Sequence, residues 1–459
     1  MKKICLFLLI IFVFLSALPV SATEETAELN NKVSCYSLDA INTVLGKEEI
    51  IENADSILIY EKSSSTLMYA WNADEQGYPA SLVKIMTGLI VAQQGNMSEA
   101  VTVKESALSQ IPSDAATVGL QPDEVIPLQD LFYCMMVSSA NDAAAVLADH
   151  LAGSQEAFVE QMNEYARELG CTGTNFTNVH GLHDEMQKTT VRDMAKVLNV
   201  ALDNELFRKA FGTERYTVEP TNKSKVRYLV TGNYLMSMDD VVYYYDERVT
   251  GGRTGVTTEG YRNIAVSAKV GPMELICILT GAESELAANG YVEVFGGYTE
   301  VRDLLDICFE DYKVSHVIYD DQVLTQMPVS GGECDVVLGP KTNVLAVLPS
   351  NARTSDLTYR YPVNSAALNA PISKGDSISS VEVWHKTICV GQAELFALND
   401  VDPQQVATVD VEQKGSDGNL TALWVILGIV AGVVIIVFAF RVINTARIRR
   451  RRKNRRRSR

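Results

Sequence analysis

Apolar and polar positions along the chain change period several times, and the changes mark the elements. Residues 55–61 and 66–71 are β-rich runs on either side of Ser63-Ser64-Ser65, the pattern of a hairpin. Residues 81–94 are apolar on nearly every side and stop at Gly95, which predicts a buried helix. Two more helices are predicted over 128–137 and 142–151, joined at 138–141, followed by amphipathic helices over 158–169 and 190–202. Strand patterns return over 261–269 and 273–280, flanking the turn Val270-Gly271-Pro272. After the break at Gly296-Gly297-Tyr298, residues 300–312 read as a closing helix. Strands therefore open and close this region with helices between them. The expected class is α+β: one mainly antiparallel sheet built from both ends of the region and packed by a helical cluster.

From about residue 314 to 398 the texture becomes short strands (334–338, 343–348, 357–361, 380–385 and 388–396) separated by Gly, Pro, Asn and Ser. This predicts a small all-β domain. Residues 399–419 are polar and read as a stalk. Residues 420–440 contain no charge and are long enough to cross a hydrocarbon core of about 30 Å as one transmembrane helix. The expected division is 1–22 signal peptide, 23–312 the α+β domain, 313–398 β domain, 399–419 stalk, 420–440 membrane helix and 441–459 basic tail.

The two ends fix an orientation. Lys2 and Lys3 precede an apolar run over 4–18, and Val20-Ser21-Ala22 is a small-residue cleavage site, so the start reads as a secretory signal. The tail carries 11 basic residues and no acid, which places it on the cytoplasmic side and the body outside, with the tail near anionic lipid. The chain holds 40 basic and 57 acidic residues; without signal and tail, 27 basic residues face 57 acidic ones, a net of −30. Such a body argues against a nucleic-acid partner. Of the eight cysteines, Cys5 belongs to the signal. The seven others are an odd number without metal-ligand spacing, and Cys134, Cys277 and Cys308 sit in apolar runs as expected of buried thiols.

Three motifs carry chemistry. Ser81-Leu82-Val83-Lys84 puts a lysine one helical turn beyond a serine, and a buried lysine can lose its proton and serve as the base for that hydroxyl. The helix start supplies backbone N–H groups suited to an oxyanion. Ser139-Ala140-Asn141 adds a hydroxyl that can pass protons and an amide that can hold Lys84 and a substrate amide. Arg253-Thr254-Gly255 follows Gly251-Gly252 and offers a cation able to grip a terminal carboxylate at two points, beside a backbone open enough for a substrate strand. Each has an ordinary structural alternative: a helix cap for Ser81 or Asn141, a solvated turn for Arg253. The ordered set is what points to acyl transfer. His180, His183 and Asp184 have ligand-like spacing, but a loop histidine satisfied by its neighbours is the commoner case, and no metal is expected.

The chain resembles the serine D-Ala-D-Ala carboxypeptidases, the low-molecular-mass penicillin-binding proteins. The resemblance rests on residues 79–87 (PASLVKIMT) and 139–144 (SANDAA), with 176–182 (FTNVHGL) and 190–195 (TVRDMA) matching a middle segment. It covers about 50–312 and, more loosely, the β domain. It implies a penicillin-binding-protein transpeptidase-like fold, shared with serine β-lactamases, and a bacterial wall enzyme without cofactor. It further implies an acyl-enzyme on Ser81, removal of the last D-alanine from peptidoglycan stem peptides, and inhibition by β-lactams. By motif match Lys84 is the base, Ser139 and Asn141 the proton and amide helpers. Arg253, Thr254 and Gly255 form the substrate strand, and the N–H groups of Ser81 and Val256 are the oxyanion donors. Two departures stand out: Arg253 replaces the usual lysine, and residues 258–262 (TEGYR) replace a small neutral run, placing Glu259 near the mouth. A β-lactamase would need a deacylating glutamate in an E-x-x-L-N stretch, which is absent from the sequence; a non-catalytic wall scaffold is the other alternative.

Overall fold

The computed structural model describes residues 38–39, 43–46, 50–237, 242–286, 292–362, 368–405 and 419–455. The expected signal, Cys35 and most of the stalk lie outside the described residues. The chain forms two units, one ending at Pro403 and one beginning at Gln404.

The first hairpin forms as expected, with β1 over Ser56–Glu61 and β2 over Thr66–Trp71. Three later strands complete its sheet: β3 Val249–Val256, β4 Arg262–Val270 and β5 Met273–Ala282. The order is β2-β1-β5-β4-β3, and every pairing is antiparallel. β5 lies beside β1, so the sheet is closed by segments from both ends of the region, and β3 is left as an edge strand. Between them lie helices α1 Val83–Gln94, α2 Leu128–Ser138, α3 Asn141–Ala152, α4 Gln155–Glu168, α5 Val191–Ala201 and α6 Glu205–Phe211. Helix α7, Tyr298–Asp311, follows the sheet.

Period-two alternation sorts the sheet's side chains onto two cores. Leu58, Tyr60, Ile276 and Ile278 join the cluster containing α1–α6. Their neighbours Ile57, Ile59, Leu275, Cys277 and Leu279 join the cluster containing α7. Both faces are covered, which is why β1 and β5 read as continuous apolar runs. Helix starts are set by side-chain caps: Ser154 accepts from Ala157 N–H, Thr190 from Asp193 N–H, and Asn204 from Leu206 and Phe207 N–H. The Ser154 cap starts α4 three residues before the apolar pattern does.

The β domain begins with β6, Tyr312–Ile318, directly after α7. Its other strands are β7 Thr325–Met327, β8 Val336–Gly339, β9 Val344–Pro349, β10 Leu357–Arg360, β11 Ser377–His385 and β12 Ile388–Ala397. β6 pairs with β9, and the others form a sheet in the order β7-β8-β12-β11-β10. Val314 of β6 and Val347 of β9 belong to the core around α7, so the β domain shares apolar packing with the sheet before it. Residues 399–403, expected to begin the stalk, are tied to this domain instead. Val401 is fully buried and bridges Ile372, and Pro403 bridges Gly332. In the second unit, α8 runs from Asn419 to Arg455. Its apolar stretch Trp424–Ile443 is 20 residues long, enough to cross a membrane as a helix of about 30 Å.

Ile278 is fully buried at the centre of the sheet, on the face covered by α1–α6. Ile278→Ala should destabilise the sheet-and-helix region by about 2–5 kcal/mol. A lowered melting midpoint, followed by circular dichroism, would register it; an unchanged midpoint would contradict this packing.

Candidate active site

The start of α1, the joint between α2 and α3, and the edge strand β3 meet at Ser81. Ser81 lies in a tight turn, Ala80–Leu82, just before α1, with Ala80 in the left-handed region at φ 46°. Such backbone costs a non-glycine residue about 1–2 kcal/mol, so the surroundings must hold it. Gly181 (φ +90°) and Gly255 do so by close approach. A Cβ on Gly181 would come 2.0 Å from Ala80 O and 2.9 Å from Ser81 N, and one on Gly255 would come 2.8 Å from Ser81 N. Only glycine fits on either side of the nucleophile's amide.

Lys84, one turn into the buried helix, is fully buried. Its Nζ lies 3.2 Å from Ser81 Oγ and 2.7 Å from Asn141 Oδ1, and it also bonds the His180 carbonyl. Ser139 Oγ donates to Ser81 Oγ at 3.1 Å. Ser139 is itself left-handed (φ 59°), ending α2 and turning the chain into α3. Asn141 is the first residue of α3 and is buried, so its amide faces Lys84 rather than capping a helix. The two pairs that sequence spacing could not join, Ser81–Lys84 and Ser139–Asn141, are thus one hydrogen-bonded cluster.

The protonation state follows from the partners. Burial first, then the positive charge of Arg253, holds Lys84 well below the usual lysine range; Asp142 acts against them. A neutral amine has two hydrogens and one lone pair. Asn141 Oδ1 and the His180 carbonyl can only accept, so they take the two hydrogens, and the lone pair is left for the Ser81 hydroxyl. His180 is held neutral: burial pushes its imidazole down to about 3. Its Nδ1 accepts the Leu182 N–H at 3.2 Å. Among the described residues, no three His, Cys, Asp or Glu side chains converge to hold a metal.

β3 brings its motif to the site by alternation. Residues 251, 253 and 255 point towards the helices, as the approach of Gly251 to Phe211 and of Gly255 to Ser81 requires. Thr257 N–H bonds Tyr261 O in the turn towards β4, so the N–H groups of Thr254 and Val256 face the open edge. Thr254 is half-buried and Val256 is 55% exposed. A cavity of about 210 Å³ opens here, lined by Ala80, Gly181, His183, Val256 and Thr257 among others. Arg253 lies on the inward side of the strand. The residue is 4% exposed and its guanidinium points inward: Nη1 donates to Met136 O at 2.6 Å, Nη2 to Met135 O at 2.9 Å, and Nε to Ser81 O at 3.2 Å. Three of the fork's five N–H groups thus meet main-chain carbonyls. Burial lowers it to about 9, so it stays charged at neutral pH.

Several supporting groups were not singled out as site residues from the sequence. The His180 carbonyl is placed by Thr87, whose hydroxyl donates to Val179 O at 2.7 Å, and by Asn178, whose Oδ1 accepts from Gly181 N–H at 2.7 Å. Asp142 accepts from the N–H groups of Val118 and Leu120, fixing a loop against the start of α3. Asn263 donates to Tyr78 O at 2.8 Å, just ahead of the nucleophile turn. The phrase from Phe176 to Leu182 was the available signal, but its role is played by a main-chain carbonyl that no side-chain pattern announces.

Comparison with known proteins gives the family. The family model for D-alanyl-D-alanine carboxypeptidase matches residues 44–284, and that for the penicillin-binding protein 5 C-terminal domain matches 312–403. The chain is 28% identical over 379 residues to D-alanyl-D-alanine carboxypeptidase DacC of Escherichia coli, covering 78% of this chain and 88% of the relative. It is 26% identical over 359 residues to DacF of Bacillus subtilis, covering 77% and 87%. The crystal structure of penicillin-binding protein 5 from Haemophilus influenzae superposes with a TM-score of 0.65 at 28% identity, covering 78% of this chain and all of that one. With the family model spanning more than half its length and the serine–lysine cluster assembled within that span, the chain belongs to the D-alanyl-D-alanine carboxypeptidase family.

Proposed function

We propose that this protein removes the terminal D-alanine from peptidoglycan stem peptides through an ester on Ser81, and that β-lactams block it by acylating the same hydroxyl. The observation that carries the reading is the buried Lys84 Nζ 3.2 Å from Ser81 Oγ within a family of carboxypeptidases. Lys84 Nζ takes the Ser81 proton as Oγ attacks the carbonyl carbon of the last peptide bond. The negative charge that develops on the carbonyl oxygen faces the N–H groups of Ser81 and Val256. The proton passes through Ser139 Oγ to the leaving nitrogen, the C–N bond breaks, and D-alanine departs. Water then attacks the ester, and Ser81 regains its proton. Asn141 orients Lys84 and the substrate amide, while Thr254, Gly255 and Val256 offer the open edge of β3 to the extended peptide.

The remaining plan supports work at a cell surface. Residues 1–22 act as an export signal, 23–312 as the catalytic domain and 313–398 as a β domain that extends through Pro403. The linker that follows leads to a single membrane helix, and the basic end of α8 stays in the cytoplasm while the body faces the wall.

Ser81→Ala should reduce both D-alanine release from a pentapeptide ending in D-Ala-D-Ala and covalent penicillin labelling to background, with the circular dichroism spectrum unchanged. Labelling that survives in this variant would place the nucleophile elsewhere.

Lys84 predicts the pH response. Burial, then Arg253, lowers its pKa well below the ordinary lysine range, which favours the free amine. Acylation should be level above that lowered pKa and fall about tenfold per pH unit below it. Lys84→Arg puts a permanent charge in place of the base and should slow acylation by at least about 10²-fold. Stopped-flow acylation across pH reads both; near-normal rates in Lys84→Arg would assign the proton to another group.

A further inference from the structure

Helix α2 ends one residue before Ser139, and its last carbonyls need partners from outside the helix. The Cys134 carbonyl accepts the N–H groups of Ser139 and Ala140. The carbonyls of Met135 and Met136 accept Nη2 and Nη1 of Arg253. The third donor of the same fork, Nε, reaches the carbonyl of Ser81. One rigid, planar group thus joins three parts of the site: the edge strand β3, the end of α2 that carries Ser139, and the nucleophile turn. The 3.1 Å contact between the Ser139 and Ser81 hydroxyls closes the same ring of contacts. None of the three acceptors is a carboxylate. They are main-chain oxygens, two of them at the negative end of a helix, where a buried cation is favoured.

We propose that Arg253 is a positioning residue that clamps the C-terminal turn of α2 to the nucleophile turn and so sets the Ser81–Ser139 contact, and that it does not serve as the receptor for the substrate's carboxylate. Lysine cannot replace it. An ammonium carries three donors on a single atom, whereas these carbonyls are met by three nitrogens of a fixed fork. A lysine at 253 keeps the charge beside Lys84 but loses the clamp, so charge and geometry separate experimentally. The groups facing Lys84 are Arg253 from β3, Asp142 from α3 and His180 from the loop before α5.

The inference rests on acyl transfer at Ser81, and its test uses a ligand pair that differs only in the carboxylate. Second-order acylation by benzylpenicillin and by its methyl ester is measured across pH for the full-length parent, Arg253→Gln and Arg253→Lys in detergent. A clamp predicts that Arg253→Gln slows both ligands by the same factor, roughly 10- to 100-fold. Its acid limb should move to higher pH, because removing the positive charge raises the pKa of Lys84. Arg253→Lys should leave the acid limb in place yet slow both ligands equally. A loss confined to benzylpenicillin, with the ester unaffected, would overturn the proposal, and so would an Arg253→Lys variant as fast as the parent. If Arg253→Gln fails to fold, Arg253→Lys alone decides between equal and carboxylate-specific loss. D-alanine release by the parent is scored separately. A parent that is acylated but releases no D-alanine would end the peptidase reading while leaving the Arg253 comparison intact.

Discussion

The site depends on keeping one lysine out of water. A charged ammonium with no exposed surface would cost several kcal/mol, and the fold lessens that cost by favouring the neutral form of Lys84 and hydrogen-bonding it. Each partner comes from a different element: Ser81 from the turn before α1, Asn141 from the start of α3, and the His180 carbonyl from the loop ahead of α5. Two of them can only accept, and this directs the remaining lone pair. The base is therefore made by geometry as much as by burial. Moving Asn141 or the His180 carbonyl would turn the amine as well as change its charge.

A second cation lies close by, and the two are treated differently. Arg253 remains charged because main-chain carbonyls surround it, and its field helps to keep Lys84 neutral. Asp142, the carboxylate that acts against this effect, is spent on the N–H groups of Val118 and Leu120. Its charge is partly satisfied by the loop it fixes, which leaves the balance around Lys84 on the side of the free base. Permanent charge, neutral base and nucleophile are then held in a fixed relation by β3, which enters the site through residues 253 and 255 on one face of the strand.

Much of this was legible in the sequence because its signals are local. The hairpin at β1–β2, the buried helix α1 and the later pair β4–β5 are strong patterns, and their boundaries shift by only a few residues. The buried character of α1 already made Lys84 anomalous. What remained hidden depends on long-range contact. The two-stranded pairings of Ala100–Thr102 with Val125–Pro127 and of Arg215–Val218 with Arg227–Val230 are short and partly exposed, so their pattern is weak. β6 begins at the residue where the helical pattern of α7 stops, which concealed the change of element. Val401 looked like stalk until its pairing with Ile372 was visible. Arg253 was legible as a cation in a motif, but the direction of its guanidinium depends on where α2 ends, more than a hundred residues earlier.

That separation in sequence explains why the site sits where several elements meet. Ser81, Ser139, His180 and Arg253 each follow a chain reversal or occupy an edge, where backbone can adopt φ values or present carbonyls that a helix interior forbids. The rigidity they need must come from contacts between elements. Gly181 and Gly255 allow backbone to touch backbone at the nucleophile, Thr87 ties α1 to the loop that supplies the His180 carbonyl, and Arg253 ties β3 to α2. Each of these is also a tertiary contact that stabilises the fold. Stability and reactivity therefore share the same bonds here: a substitution that loosens the packing between β3, α1 and α2 disturbs the hydroxyl pair even when every reacting side chain is still present.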